Sequence, residues 1–124
     1  MRRQSIFNLL LLVILPLLLG CSSDKKSSNT AITVGRMARF VETGDTTLLQ
    51  GVFTDSVLTL MSIDQMLATR DDFASRFGAL RTIDGPKFST DSTAVLVLRY
   101  ELMSLLAELE FTPKGQIRFL SIRP

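Results

Sequence analysis

Cys21, Tyr100 and the adjacent pair Asp71–Asp72 are the side chains in this sequence whose types and placing could do chemistry. Cys21 is the sole cysteine, and the chain has no histidine. An intramolecular disulfide is therefore impossible. Zinc or copper sites built on His and Cys are excluded, as are Ser-His-Asp and Cys-His nucleophile systems. Tyr100 is the only tyrosine. If it shares a strand face with Leu96, Leu98 and Leu102, its hydroxyl is a polar handle in an apolar pocket, where Tyr with an Asp can work as an acid–base device. A buried Tyr bonded to a backbone group is the simpler reading, and Asp91 lies near a strand end with no evident reach. Asp71 and Asp72 point roughly 100° apart on a helix, so they cannot simply share a proton or a metal. Charges that complement the dipole at a helix start explain them better, and Asp64 reads the same way. No metal and no cofactor is expected.

Cys21 draws its meaning from what precedes it. Met1-Arg2-Arg3-Gln4 is a short basic start, followed by an apolar stretch from Ile6 to Leu19 broken only by Asn8 and Pro16. The part beyond Asn8, Leu9 to Leu19, is too short for a spanning helix of about 20 residues and fits the core of an export signal. Leu18-Leu19-Gly20-Cys21 resembles the bacterial lipobox: a branched aliphatic residue, a tolerant position, a small residue, then cysteine. The resemblance implies cleavage between Gly20 and Cys21 and a thioether from Cys21 to diacylglycerol. A cut after Ser23 by ordinary signal peptidase is the alternative, but Leu18 at the −3 position argues against an ordinary cut before Cys21. One acyl chain binds a membrane only weakly; the two or three chains, of the palmitate class, that such a cysteine carries make dissociation negligible. Ser22 rather than Asp after the cysteine resembles the sorting pattern for the outer membrane where the source has two membranes. The expected place is the cell envelope, lipid-anchored, on the periplasmic side or the surface.

Removing residues 1–20 from 124 leaves 104, enough for one small domain. Arg2 and Arg3 leave with the signal, so 12 of the 14 basic side chains remain against 12 acidic ones. With no long Lys/Arg run and no interleaved aromatics, nucleic-acid binding loses its electrostatic basis. Residues 21–30 form the lipidated cysteine and a spacer: Ser22 to Thr30 has no apolar residue and reads as flexible, with a reach of about 15–18 Å. Residues 31–124 form the single domain.

The elements of that domain follow from periodicity. Val34, Met37, Ala38 and Val41 predict a helix that Gly44-Asp45 ends, and Thr46 to Val52 predicts a short second one that buries Leu48, Leu49 and Val52. Val57 to Met61 reads as a short strand or a loop. Ser62-Ile63-Asp64-Gln65 and Thr69-Arg70-Asp71-Asp72 both have the form of a capping box, so a helix from Ile63 to about Leu80 is expected, with a break near Thr69 an option. Beyond the turn at Asp84-Gly85-Pro86 the period becomes two. Strands are expected at Lys87–Thr90, Thr93–Leu102, Leu105–Phe111 and Gln116–Arg123, the last pair joined by Pro113-Lys114-Gly115. On the last strand Ile117 and Phe119 fall on one face. The fold class is α+β: two to three N-terminal helices packed on a curved antiparallel sheet of three to four strands, cone-like in shape.

This order resembles the nuclear transport factor 2-like cone fold, and more closely a bacterial domain of unknown function sometimes found ahead of α/β hydrolases. The likeness is carried by Ala38-Arg39-Phe40-Val41 with Thr43-Gly44-Asp45, by Leu49 and Phe53-Thr54-Asp55, and by the helix with Phe73, Phe77 and Leu80. Gly85-Pro86-Lys87-Phe88, the run from Leu109 to Ile117 and the ending Leu120 to Pro124 complete it. One departure is Phe73 or Phe77 where a tryptophan often stands. The resemblance implies a pocket at the open end of the cone and dimers through the sheet face; it carries a fold and no function.

The residues expected at a pocket are Phe40, Phe77, Leu98, Tyr100 and Phe111. Phe40, Phe53, Phe73, Phe77, Phe88, Phe111 and Phe119 are most simply core, and Met61 and Met66 gap-fillers. Arg99 and Glu101 are expected to pair across strands with Glu108 and Glu110 on a solvated or dimer-facing side. The leading functional expectation is a non-catalytic, membrane-anchored module of the envelope that binds a small apolar ligand, an envelope protein or another copy of itself. Its rivals are a small isomerase- or dehydratase-type enzyme using Tyr100, and a self-associating structural subunit.

Overall fold

The computed structural model describes residues 29–124. The export signal at 1–20, the Gly20–Cys21 junction and spacer residues 22–28 lie outside the described residues. Helix α1 is present from residue 29 through residue 43. It takes in Asn29 and Thr30, which the polar spacer was expected to include: the Thr33 hydroxyl donates to the Asn29 carbonyl at 3.0 Å, and Thr30 is only 7% exposed. Val34, Met37 and Phe40 are its buried apolar residues, whereas Ala38 and Val41 are half-buried. The helix ends where Gly44, at φ +74°, donates its N–H to the Phe40 carbonyl at 2.7 Å. The Asp45 carboxylate then accepts from the Thr47 hydroxyl (2.7 Å) and amide (3.0 Å), which starts a short 3-10 helix at Thr46–Leu49 and holds the Asp45 carboxyl below its usual range.

Of Val57 to Met61, expected as strand or loop, Val57 to Leu60 belong to helix α2, Asp55–Leu60, and Met61 is its extended C-cap. Six residues are too few for helical periodicity to be legible; Val57 and Leu58 pack on the core, and that contact decides the conformation. Helix α3, Ile63–Phe77, begins at a complete capping box: the Gln65 amide donates to the Ser62 hydroxyl, and the Ser62 amide to the Gln65 side chain at 2.8 Å. The second box does not start a helix. At Thr69 the backbone donors are already committed to the helix, and the Thr69 hydroxyl donates to the Gln65 carbonyl at 2.9 Å. Helix α3 stops short of Leu80 because Gly78 adopts φ +83°, and a Cβ there would sit 2.9 Å from Glu101 Cβ.

The sheet is an antiparallel meander of β1 (Leu80–Thr90), β2 (Thr93–Tyr100), β3 (Ser104–Phe111) and β4 (Ile117–Arg123), in that order. The expected turn at Asp84-Gly85-Pro86 is an irregularity within β1, where the register shifts between Asp84 and Lys87. An edge strand tolerates the missing proline N–H, so pairing resumes beyond it. Strands β2 and β3 alternate as the period of two requires: Ala94, Leu96, Leu98 and Tyr100 face the helices with Leu105, Ala107, Leu109 and Phe111.

Strand β4 departs from simple alternation. A bulge between Glu110 and Phe111 sets Ile117, fully buried, opposite Phe111 but places Phe119 opposite Glu110 on the outer face. Phe119 is 49% exposed and Phe88, near the end of the β1 edge, 43%, so neither belongs to the core. Leu120 and Ile122 turn inward opposite Leu109 and Ala107. The same register decides the ion pairs. Arg99 meets Asp84 of β1, while Glu108 and Glu110 meet Arg123 and Arg118 of β4, because Glu108 and Glu110 stand opposite Val95 and Thr93 on β2. Glu101 instead accepts the Ala79 N–H at 2.9 Å. The helical layer is tied to β4 at one further point: Phe53 bridges Ile117, whose N–H donates to the Val52 carbonyl at 2.8 Å. The described residues thus form an α+β fold, three α-helices against one face of a four-stranded antiparallel sheet.

Candidate functional site

A cavity of about 40 Å³ lies where α1, α3 and the inner sheet face converge. Helix α1 contributes Met37, Phe40 and Val41, all at its C-terminal end. Met61 and Met66 come from the lead-in and first turn of α3, with Phe73 further along. Leu98, Tyr100, Leu120 and Ile122 form the sheet side. The polar residues at the wall are Thr69, Arg70 and Tyr100, and among the described residues no carboxylate lines the hollow.

Tyr100 is the last residue of β2 and faces inward by strand alternation. Its ring stands edge-on to Phe73 (centroids 6.4 Å, 71°) and to Phe77 (6.1 Å, 61°), and those two lie 6.0 Å apart. Such pairs add about 0.5–1.5 kcal/mol each beyond burial and fix the ring. The residue is 6% exposed, yet among the described residues its hydroxyl has no hydrogen-bond partner. The backbone bond expected of a buried tyrosine is not made. Burial pushes its pKa above 10.0, with the positive charge of Arg70 pulling the other way.

Arg70 sits at the same side of the hollow for a reason legible in the helix. Met66, Arg70, Phe73 and Phe77 fall at i, i+4, i+7 and i+11, so an arginine occupies the apolar stripe of α3. Its Nε donates to the Val41 carbonyl at 2.9 Å and its Nη2 to the Glu42 carbonyl at 3.0 Å, which satisfies the open C-terminal end of α1. Nη1 pairs with Asp71 at 2.8 Å. Asp72 pairs with Arg76 one turn on, at 3.1 Å. The two acids therefore sit mid-helix with separate partners, and the helix-start role expected for them belongs to Asp64 alone.

Of the residues expected at a pocket, Phe40, Leu98 and Tyr100 line the cavity. Phe77 touches the Tyr100 ring without forming the wall. Phe111 is fully buried on β3, paired to Ile117, away from the hollow. Asp91 is exposed in the turn before β2, a full strand length from Tyr100. Sequence reasoning passed over Met37, Thr69 and Arg70; an arginine inside an apolar stripe was the signal for the last. Among the described residues no cluster of acidic, His or Cys side chains could hold a metal, and no helix is long and apolar enough to cross a membrane.

The space suits a water or a methyl-sized group as it stands, since one water needs roughly 10–15 Å³ and drug-sized ligands need about 300–1,000 Å³. Growth of the hollow depends on its methionines, unbranched side chains with three rotatable bonds each. No family model, curated protein or solved structure matches this chain.

Proposed function

We propose that this chain is a lipid-anchored module of the bacterial cell envelope that binds a small ligand or partner without transforming it. The anchor half rests on Leu18-Leu19-Gly20-Cys21, where the thiol follows a small residue at the end of an export-type apolar core. What supports the binding half is the apolar hollow itself, walled by three methionines and the buried ring of Tyr100, whose hydroxyl makes no hydrogen bond among the described residues and reaches solvent. Acid–base turnover needs a base within hydrogen-bond reach of the substrate proton. The groups at this hollow are an arginine, a threonine already donating to Gln65, and a phenol whose pKa burial raises. They favour holding over reacting.

The test uses the full chain made in a bacterium able to lipidate it. Detergent-phase partitioning, and a mass for the Cys21 peptide increased by acyl chains, are expected, with Cys21→Ser moving the protein to the aqueous phase. An unmodified thiol on the parental protein would sink the anchor half. Native mass spectrometry of the same material, with no retained small molecule under any condition, would sink the binding half.

A second reading, self-association, is favoured by the outer sheet face. Half-buried Val95, Val97 and Leu106 lie there with the exposed Phe119, framed by the Arg99–Asp84, Arg118–Glu110 and Arg123–Glu108 pairs. Phe119→Glu should lower the sedimentation coefficient of the full chain if this face joins two copies; an unchanged coefficient rejects it.

A further inference from the structure

We propose that the first turns of α1 and the β3–β4 turn form the face of this domain that rests on the lipid surface, with Ile32 entering the headgroup layer and Lys114 beside its phosphates. This rests on the lipid-anchored reading above and assigns the orientation of the anchored domain.

The length of the tether fixes which end is near the lipid. Cys21 and Asn29 are 29 − 21 = 8 positions apart, and eight residues fully extended span at most about 26–29 Å. Beyond that point the chain adds no slack, because α1 is pinned from its first residue. A Cβ on Gly115, in the β3–β4 turn, would lie 3.2 Å from Asn29 Cβ. Thr30 is only 7% exposed, and the Thr33 hydroxyl donates to the Asn29 carbonyl at 3.0 Å. The start of α1 and the β3–β4 turn are therefore one end of the packed domain, and acyl chains on Cys21 keep that end close to the bilayer. The β2–β3 turn, with Leu102, is at the opposite end of the sheet; β2 alone has 8 residues, a length of about 26 Å.

The residues at the tethered end suit a lipid interface. Ile32, in the first turn of α1, is 58% exposed. Side chains on a helix lean toward its amino terminus, so Ile32 leans toward the anchor. Pro113 and Lys114 are exposed at the tip of the adjoining turn. Arg36, one turn beyond Ile32, is exposed as well and donates from Nη1 to the Gln50 carbonyl at 3.3 Å. Asp55 opens α2 and Asp91 lies in the β1–β2 turn, at the same end of the sheet, so charge alone does not hold this face down. The apolar contact of Ile32 supplements it, the combination by which interfacial segments bind. The hollow meets α1 at Met37, Phe40 and Val41. Val41 is nine residues, about 13 Å, beyond Ile32 along the axis, which sets the hollow away from the bilayer and toward the water.

The chain has no tryptophan, so a single introduced one reports on its own position. The full chain, lipidated by its bacterial host, is placed in vesicles of phosphatidylcholine and phosphatidylglycerol, with or without bromine high on the acyl chains. Brominated lipid should remove most of the emission of Ile32→Trp and of Pro113→Trp. It should leave that of Leu102→Trp unchanged, a position 76% exposed at the opposite end. Adding Lys114→Glu to Ile32→Trp should restore part of the lost emission; none restored would strike Lys114 from the contact. Equal quenching at the three positions, or quenching strongest at Leu102→Trp, would overturn the assignment. Flotation with the vesicles is read on the same samples. Protein that floats while Ile32→Trp and Pro113→Trp keep their emission overturns the orientation and leaves the anchor standing. Protein that does not float overturns the anchor, and the orientation with it. Pro113→Trp decides the orientation even if Ile32→Trp does not fold.

Discussion

Arg70 Nε donates to the Val41 carbonyl at 2.9 Å, so the middle of α3 closes the end of α1. The contact has little tolerance: a Cβ at Gly44 would lie 2.9 Å from Arg70 Nη1, and the backbone there is at φ +74°. Arg70→Met keeps the stem and removes two charge-assisted bonds to carbonyls. It should cost about 2 kcal/mol in urea unfolding. Gly44→Ala, strained by conformation as well as by contact, should cost at least about 1 kcal/mol. A loss below the error of the measurement in both variants would mean that the two helices are held by apolar packing alone.

Tyr100 should titrate above the ordinary tyrosine value of 10.0, because burial disfavours the phenolate. The folded state then holds this proton more tightly than the unfolded chain. Stability from this group is fully present below the unfolded value and is lost as pH rises from there through the raised folded value. Tyrosinate absorbance of the native protein measures the shift directly. In Arg70→Met the cation that eases ionisation is gone, so the midpoint should move higher still; a downward move would contradict the placement of the charge.

The two look-alike boxes in α3 give opposite expectations. Ser62→Ala removes a cap that the Gln65 amide uses and should cost about 1 kcal/mol. Thr69→Ala removes only a hydroxyl bond back to the Gln65 carbonyl and should change stability by less than about 0.5 kcal/mol. Equal losses in thermal or urea melts would restore a helix break near Thr69.

Leu98→Ala should cost about 2–5 kcal/mol, because Leu98 is 2% exposed and fixed in the central strand β2. Met61→Ala, at a wall residue that is 37% exposed, should cost less than about 1 kcal/mol. The variants separate the rigid side of the hollow from its movable side, and denaturant midpoints measure both.

The legible parts of this fold were those where one periodicity ran long enough. The strands around Leu96–Tyr100 and Leu105–Phe111 alternate without interruption, and the Ser62–Gln65 box had a residue long enough to reach back. The illegible parts turn on local exceptions. The bulge at Glu110–Phe111 reversed the facing of Phe119, and no propensity marks it. Helix α2 is too short to show a period, and packing chose its state. The Asp84-Gly85-Pro86 segment carries every turn residue yet lies in an edge strand. At the cavity, Phe40, Leu98 and Tyr100 could be named from their faces, whereas Arg70 was hidden by a motif that seemed to explain it.

Each strand pairs only with its neighbour in sequence, and that ordering has a kinetic consequence. Three short connections suffice to assemble the sheet, so loop-closure entropy is small at every step and the meander can form early. Helix α1 is different, since its end meets Arg70 nearly thirty positions away and its start reaches the β3–β4 turn, where Asn29 lies against Gly115. Until that helix lands, the inner row of Leu96, Leu98, Leu105 and Leu109 is bare. A chain emerging with its amino terminus already fixed to a surface would bring α1 and the newly made sheet within a short radius of each other, which shortens the interval in which that row could find another chain instead.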